Sequence, residues 1–170
     1  MNYASIREID TDNCIGIGVS IFVSGCRNHC KGCFNQETWD FNFGNKFTDK
    51  EMKKILELVR PKYIDSFSVL GGDPFEEENQ TGVLSIIQEV KTLRPDIKLY
   101  IWSGYLYENL LKQPIAREIL SICDYLIDGR FEMCNRNLSL RLRGSTNQRV
   151  IDLKKSSEDN VVLWKKAYDF

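Results

Sequence analysis

The chain has 170 residues, with 23 Lys and Arg set against 24 Asp and Glu, and 42% of its residues are apolar. That length can bury a real core, so one domain over residues 1–170 is expected, and a formal charge of −1 offers no field to draw in nucleic acid or an anionic membrane. No apolar run reaches the length of a membrane span, M-N-Y-A-S-I-R-E is no basic-then-apolar leader, and six cysteines in such a chain point to a reducing, cytoplasmic setting.

Strands alternate with helices along the chain. Ile15 to Val23 is β-branched and apolar, a buried strand that delivers the chain to Ser24-Gly25. Thr48 and Glu51 stand at capping-box spacing, and Met52, Ile55, Leu56 and Val59 recur at helical intervals until Pro61, which predicts a helix over Thr48 to Arg60. Ser66 to Leu70 reads as a strand ending in Gly71-Gly72-Asp73-Pro74, followed by a helix from about Glu77 to Leu93. Ile97 to Trp102 is the next strand, stopped by Ser103-Gly104. Residues 106–122 are helical with an interruption at Pro114. Asp124 to Asp128 is a strand running into Gly129-Arg130-Phe131. Residues 132–146 are polar and loop-like, Gln148 to Leu153 is a strand, and Val161 to Trp164 is a candidate for the last. The alternation predicts an α/β fold with parallel strands under covering helices.

In such folds the loops after the strands carry the chemistry. The segment after Val23, the Gly71-Gly72-Asp73 turn, Ser103-Gly104 and Asp128-Gly129 should therefore share one rim. A closed eight-stranded barrel needs roughly 200 residues or more. The expected sheet is thus an open crescent, its lateral gap wide enough for part of a large partner.

Cys26, Cys30 and Cys33 lie on that rim in the run C-R-N-H-C-K-G-C. Three thiolates this close must surround one centre. A cubane iron–sulfur cluster takes one thiolate per iron, so three ligands leave one iron open, and open metal positions are where chemistry occurs. Structural zinc with His29 as fourth ligand is the competing reading, although His29 and Cys30 are adjacent where paired zinc ligands are normally two to four residues apart. Inert thiols are the remaining alternative. Cys14, Cys123 and Cys134 read as buried core thiols. Trp39, Phe41, Phe43 and Phe47 read as apolar cover for the cysteine loop. Arg130, Arg136, Arg141, Arg143 and Arg149 read as a solvated or salt-bridged segment, with docking to an acidic partner as the alternative.

Taken together, the cysteine loop and the Gly-Gly-acidic strand end resemble the radical S-adenosylmethionine superfamily. V-S-G-C-R-N-H-C-K-G-C-F-N-Q-E-T-W (Val23 to Trp39), L-G-G-D-P (Leu70 to Pro74), W-S-G-Y (Trp102 to Tyr105), D-Y-L-I-D-G-R-F (Asp124 to Phe131) and L-R-G-S-T-N-Q-R-V-I-D-L (Leu142 to Leu153) narrow the resemblance to the activating proteins of anaerobic ribonucleoside-triphosphate reductases. The segments span nearly the whole chain, and R-G-S-T-N-Q is the most specific of them. Cys14-Ile15-Gly16-Ile17-Gly18 departs from the Gly-Pro-Gly-x-Arg-like segment common in that family, and Asp73 stands where the superfamily often has glutamate.

The resemblance implies an incomplete, TIM-like βα barrel of the radical S-adenosylmethionine type, open on one side. It implies a [4Fe-4S] cluster on Cys26, Cys30 and Cys33, with S-adenosylmethionine near Gly32, Cys33, Phe34, Gly71, Gly72, Asp73 and Ser103. No side-chain acid or base is required. The activity implied is that of an oxidoreductase which reductively cleaves S-adenosylmethionine and places a glycyl radical on the anaerobic reductase, with reduced flavodoxin or ferredoxin as electron donor. Activation of another glycyl-radical enzyme, such as pyruvate formate-lyase, is the nearest alternative. A tailoring enzyme for a small molecule or a non-catalytic iron–sulfur or zinc module is more distant.

Overall fold

The structure, a computed structural model, describes residues 1–168. Seven strands form one open sheet in the order β3-β1-β2-β4-β5-β6-β7. Its centre is parallel, as the alternating pattern requires: β2 (Gly18–Val23), β4 (Ser66–Gly71), β5 (Lys98–Ser103) and β6 (Tyr125–Asp128) all run the same way. The margins are antiparallel. β1 (Asn2–Asp10) pairs with β2 and with the two-residue β3 (Asn45–Lys46), and β7 (Arg149–Asp152) pairs with β6.

Three expectations change. β1 was not foreseen, because Arg7, Glu8 and Asp10 and two register shifts against β2 spoil its alternation; such charges and irregularities suit a strand at a sheet margin. The first parallel strand begins at Gly18 rather than Ile15, since Ile15 and Ile17 are 38% and 37% exposed in the preceding loop. Val161 to Trp164 is no strand: it guards β7 through one bridge, Leu163 to Ile151. The mixed, unclosed sheet is therefore α/β, with a parallel centre and antiparallel ends.

Helices lie against one face. In α1 (Asp49–Val59) the Thr48–Glu51 capping box forms as the spacing predicts. α2 (Glu77–Leu93) is the long helix, and Pro114 separates the short α3 (Tyr107–Leu110) from α4 (Pro114–Ile122) by starting the latter. Side chains alternate along each strand. Val19, Ile21, Val69 and Ile101 join the core with Ile55, Val83, Ile87 and Ile119 of the helices. On the opposite face, Tyr100, Ile127 and Val150 pack with Cys14, Leu142 and Ala167, and Tyr125 stacks between Tyr100 at 4.9 Å and Trp164 at 4.2 Å. Among the described residues, no helix is long and apolar enough to cross a membrane.

At the amino end of β6, Asp124 is 5% exposed and accepts from the Leu99 amide at 3.0 Å and from Lys91 Nζ at 3.1 Å, locking α2 and β5 together. Burial alone would raise its pKa, but these bonds outweigh burial and lower it. The group therefore contributes stability above the ordinary carboxylate pKa near 3.9, and that contribution is lost as pH falls through the lowered folded value. Asp124→Asn should cost about 2 kcal/mol at pH 7 and weaken the decline in stability toward acid. Urea unfolding between pH 7 and pH 3 checks both.

Candidate metal and cofactor centre

The carboxyl ends of β2, β4, β5 and β6 meet at a cavity of about 130 Å3, lined by all three motif cysteines together with Gly71, Gly72, Asp73, Ser103 and Gly129. The four loops expected to share a rim do so.

Backbone crowding explains the glycines. Gly72 sits where the β2 loop, the β4 turn and the segment after the cysteines converge; a Cβ there would lie 2.5 Å from the Gly25 carbonyl oxygen and 2.9 Å from that of Thr38. Gly71 has φ +110° and a Cβ would meet the Val23 carbonyl oxygen at 2.6 Å. The amides of Gly72 and Asp73 donate to Val23 and Gly25 at 2.7 and 2.8 Å, and those of Gly25 and Cys26 to Thr38 and Trp39 at 2.8 and 3.2 Å.

Between Cys26 and Cys30, every residue is tied down. The Arg27 amide donates to Glu76 Oε1 at 2.7 Å and its guanidinium to Glu76 and Glu78. Asn28 Nδ2 donates to Asp73 Oδ2 at 3.0 Å, while its carbonyl accepts from Arg130. His29, in the left-handed region at φ +46°, stacks on Trp39 with ring centroids 4.6 Å apart. Tyr105 Oη also donates to Glu76, at 3.1 Å, and Asn79 of α2 donates to the carbonyls of Ser24 and Asp73. The cysteine loop is thus shaped by the β4 and β5 loops, which lie far from it in sequence.

Asp73 is the centre of this web. Its carboxylate is 1% exposed and accepts from Phe75 N at 3.0 Å, Ser103 Oγ at 3.0 Å, Gly104 N at 2.9 Å and Asn28. Burial pushes its pKa up to about 7 against the pull of these donors. The folded protein therefore binds more protons than the unfolded chain between the ordinary value and about 7, and this group's contribution to stability falls as pH rises across that window. With its oxygens engaged internally, Asp73 stiffens the rim; the parts of the turn left to face a ligand are the backbones of Gly71 and Gly72.

The other sequence-derived residues divide clearly. Ser103 lines the cavity and bonds Asp73. Gly32 and Phe34 flank Cys33 but are not among the lining residues: Gly32, at φ +76°, leaves room for Met133, and Phe34, 55% exposed, packs 5.1 Å from Phe131. His29 is exposed, and Cys14 and Cys123 are buried, whereas Cys134 is exposed rather than a core thiol. Trp39 lines the cavity, Phe41 packs against Gly25, Phe47 joins the core, and Phe43 is 38% exposed. Of the arginines, Arg149 pairs with Asp128 and Glu108, and Arg143 lies 3.9 Å over the Tyr168 ring, so both are structural; Arg136 and Arg141 are exposed. Asn28, Glu76, Asn79 and Gln148 were not singled out from the sequence. Gln148 links the turn of R-G-S-T-N-Q to the rim, accepting from the Gly144 amide and donating to the Gly129 carbonyl. Only the polar character of R-N-H between two thiols hinted at such partners.

A cluster and a chelating ligand fit these donors. Three half-buried thiols share one rim with the Gly71-Gly72 backbone, and the buried Trp39 indole N–H has no acceptor among the described residues. Among the described residues, no trio of Cys, His, Asp or Glu is gathered tightly enough for a single ion; one thiolate per iron calls for a wider arrangement.

A family model described as a 4Fe-4S single cluster domain matches residues 13–151. Similar proteins named anaerobic ribonucleoside-triphosphate reductase-activating protein cover most of the chain. That of Pasteurella multocida is 37% identical over 150 residues, 87% of this chain and 95% of the relative. The one from Enterobacteria phage T4 is 34% identical over 152 residues, 88% and 93% of the two chains, and that of Escherichia coli K12 31% over 156 residues, 91% and 100%.

Burial, and then the negative charge of Asp73, push the Cys26 thiol up to about 11. Metal loading at neutral pH must therefore release its proton. In metal-free protein, iodoacetamide labelling followed by peptide mass spectrometry should place half-maximal Cys26 reactivity near pH 11. Asp73→Asn should lower that midpoint; an unmoved midpoint would remove Asp73 as a source of the shift.

Proposed function

The chain belongs to the anaerobic ribonucleoside-triphosphate reductase-activating proteins, and on that premise we propose that it is a one-domain radical S-adenosylmethionine activase acting on the glycyl-radical subunit of such a reductase. The convergence of Cys26, Cys30 and Cys33 with the Gly71-Gly72 turn on one cavity is the observation that carries this reading. The open sheet, with its parallel centre, is read as the partial barrel of that superfamily.

In this reading the three cysteines hold three irons of a [4Fe-4S] cluster, and the glycine turn brings backbone against S-adenosylmethionine. When bound, the cluster and S-adenosylmethionine supply reductive sulfonium cleavage and removal of a hydrogen atom from a glycine of the reductase. The chain's own part is to bind, orient and exclude water. Asp73 holds Ser103 and Asn28 in place, and Glu76 holds Arg27 beside Cys26. Leu70, Trp102 and Phe131 form apolar wall. Gly32 sits against Met133, and Phe34, packed on Phe131, lines the neighbouring cavity.

Beyond Leu70, Trp102 and Phe131 opens a second, wider cavity of about 560 Å3, reaching Arg7 on one side and Leu138 and Leu140 on the other. Asn35, Leu70, Trp102, Phe131 and Gln148 line both cavities, and this adjacency supports a lateral route by which a loop of the reductase reaches the centre. A one-electron protein donor, reduced flavodoxin or ferredoxin, completes the system.

Anaerobic, iron-reconstituted protein mixed with reductant, S-adenosylmethionine and an anaerobic reductase should give a glycyl-radical doublet by electron paramagnetic resonance. The doublet should vanish without S-adenosylmethionine. Cys30→Ala should lose both cluster iron and the doublet, and full iron and activity in that variant would sink the reading.

A further inference from the structure

Trp39 is clipped to the cysteine loop at two points. Its carbonyl accepts from the Cys26 amide at 3.2 Å, and its ring lies nearly parallel to His29, at 13° and 4.6 Å. The residue lines the cavity that holds the three thiols. Its Nε1 is buried and has no hydrogen-bond partner among the described residues.

That combination is unusual within the molecule. An indole nitrogen is a donor only, and buried donors nearly always meet an acceptor. The other indole on the cavity wall obeys the rule: Trp102 Nε1 donates to the Leu142 carbonyl at 2.9 Å. Of the buried side-chain nitrogen and oxygen atoms that lack a partner among the described residues, Trp39 Nε1 alone belongs to a residue lining the cysteine cavity. Its acceptor is therefore to be sought in what the cavity holds. The two clips keep the ring beside the stretch from Cys26 to Cys30, where the acceptors brought by a cluster are thiolate and sulfide sulfur.

We infer that Trp39 is a cluster-contacting residue whose indole N–H donates to a sulfur of the centre held by Cys26, Cys30 and Cys33, thereby raising its reduction potential. The inference rests on the cluster reading of the site. Hydrogen bonds to cluster sulfurs favour the more negative, reduced state and are among the means by which a protein sets the potential. His29 acts as a positioning residue for the ring, which accounts for its left-handed backbone in the middle of the motif.

Trp39→Phe removes the donor while keeping a flat ring to stack on His29. Full-length protein, reconstituted anaerobically and titrated by electron paramagnetic resonance, should show a more negative cluster midpoint in the variant at equal iron content. Wild-type protein grown with indole-15N tryptophan should show a nitrogen coupling to the reduced cluster by electron–nuclear double resonance, and the variant should lose it. Absence of that coupling in the iron-loaded wild type overturns the inference even where the variant fails to load. An unchanged midpoint in an iron-replete Trp39→Phe protein overturns it equally. Failure of the wild type to assemble any iron–sulfur cluster instead overturns the reading of the site itself.

Discussion

Two carboxylates buried just beyond β4, Asp73 and Glu76, are the interaction on which the rest of the rim depends. Taking a carboxylate out of water costs several kcal/mol unless donors replace the solvent. Apart from the Phe75 amide of their own segment, the donors come from the two neighbouring loops: Asn28 and Arg27 from the cysteine loop, Ser103, Gly104 and Tyr105 from the β5 loop. Neither acid can be satisfied unless both neighbouring loops are in place. The loops are thus ordered as a unit, and the thiols of Cys26, Cys30 and Cys33 take their positions from that unit rather than from their own short segment.

The architecture of the sheet makes this arrangement possible. Parallel strands deliver consecutive loops to the same end, and the buried β2, β4 and β5 set them side by side in the order of the sheet. The antiparallel margins do different work. β1 and β3 finish one side, while β7 returns from the R-G-S-T-N-Q turn and anchors Arg149 to Asp128 at the end of β6. β3 and β7 are the ends of an open sheet, and the wide cavity beyond Trp102 lies between Arg7 of β1 and residues 138–144 ahead of β7.

Aromatic residues control what surrounds the thiols. Trp39 and Phe131 line the centre itself, with His29 stacked on Trp39 and Phe34 packed on Phe131. Gly144, in the R-G-S-T-N-Q segment, leaves room for the second pair: a Cβ there would meet Phe34 at 2.8 Å. The R-G-S-T-N-Q segment is therefore a support for the wall beside the site, joined to the rim through Gln148.

The sequence by itself determined the alternation of strands and helices, the capped start of α1 and the gathering of four loops, one of them carrying Cys26, Cys30 and Cys33, on one rim. These are local: cysteine spacing, apolar periodicity and turn residues act within a few positions of one another. Tertiary structure alone decided that Asp73 is consumed by internal bonds and that Glu76 and Asn28 hold the cysteine loop. It also decided the antiparallel margins and the β1 strand hidden among charges. Those features depend on which donor meets which acceptor across some fifty residues, as between Arg27 and Glu76, and no spacing rule carries that information along the chain.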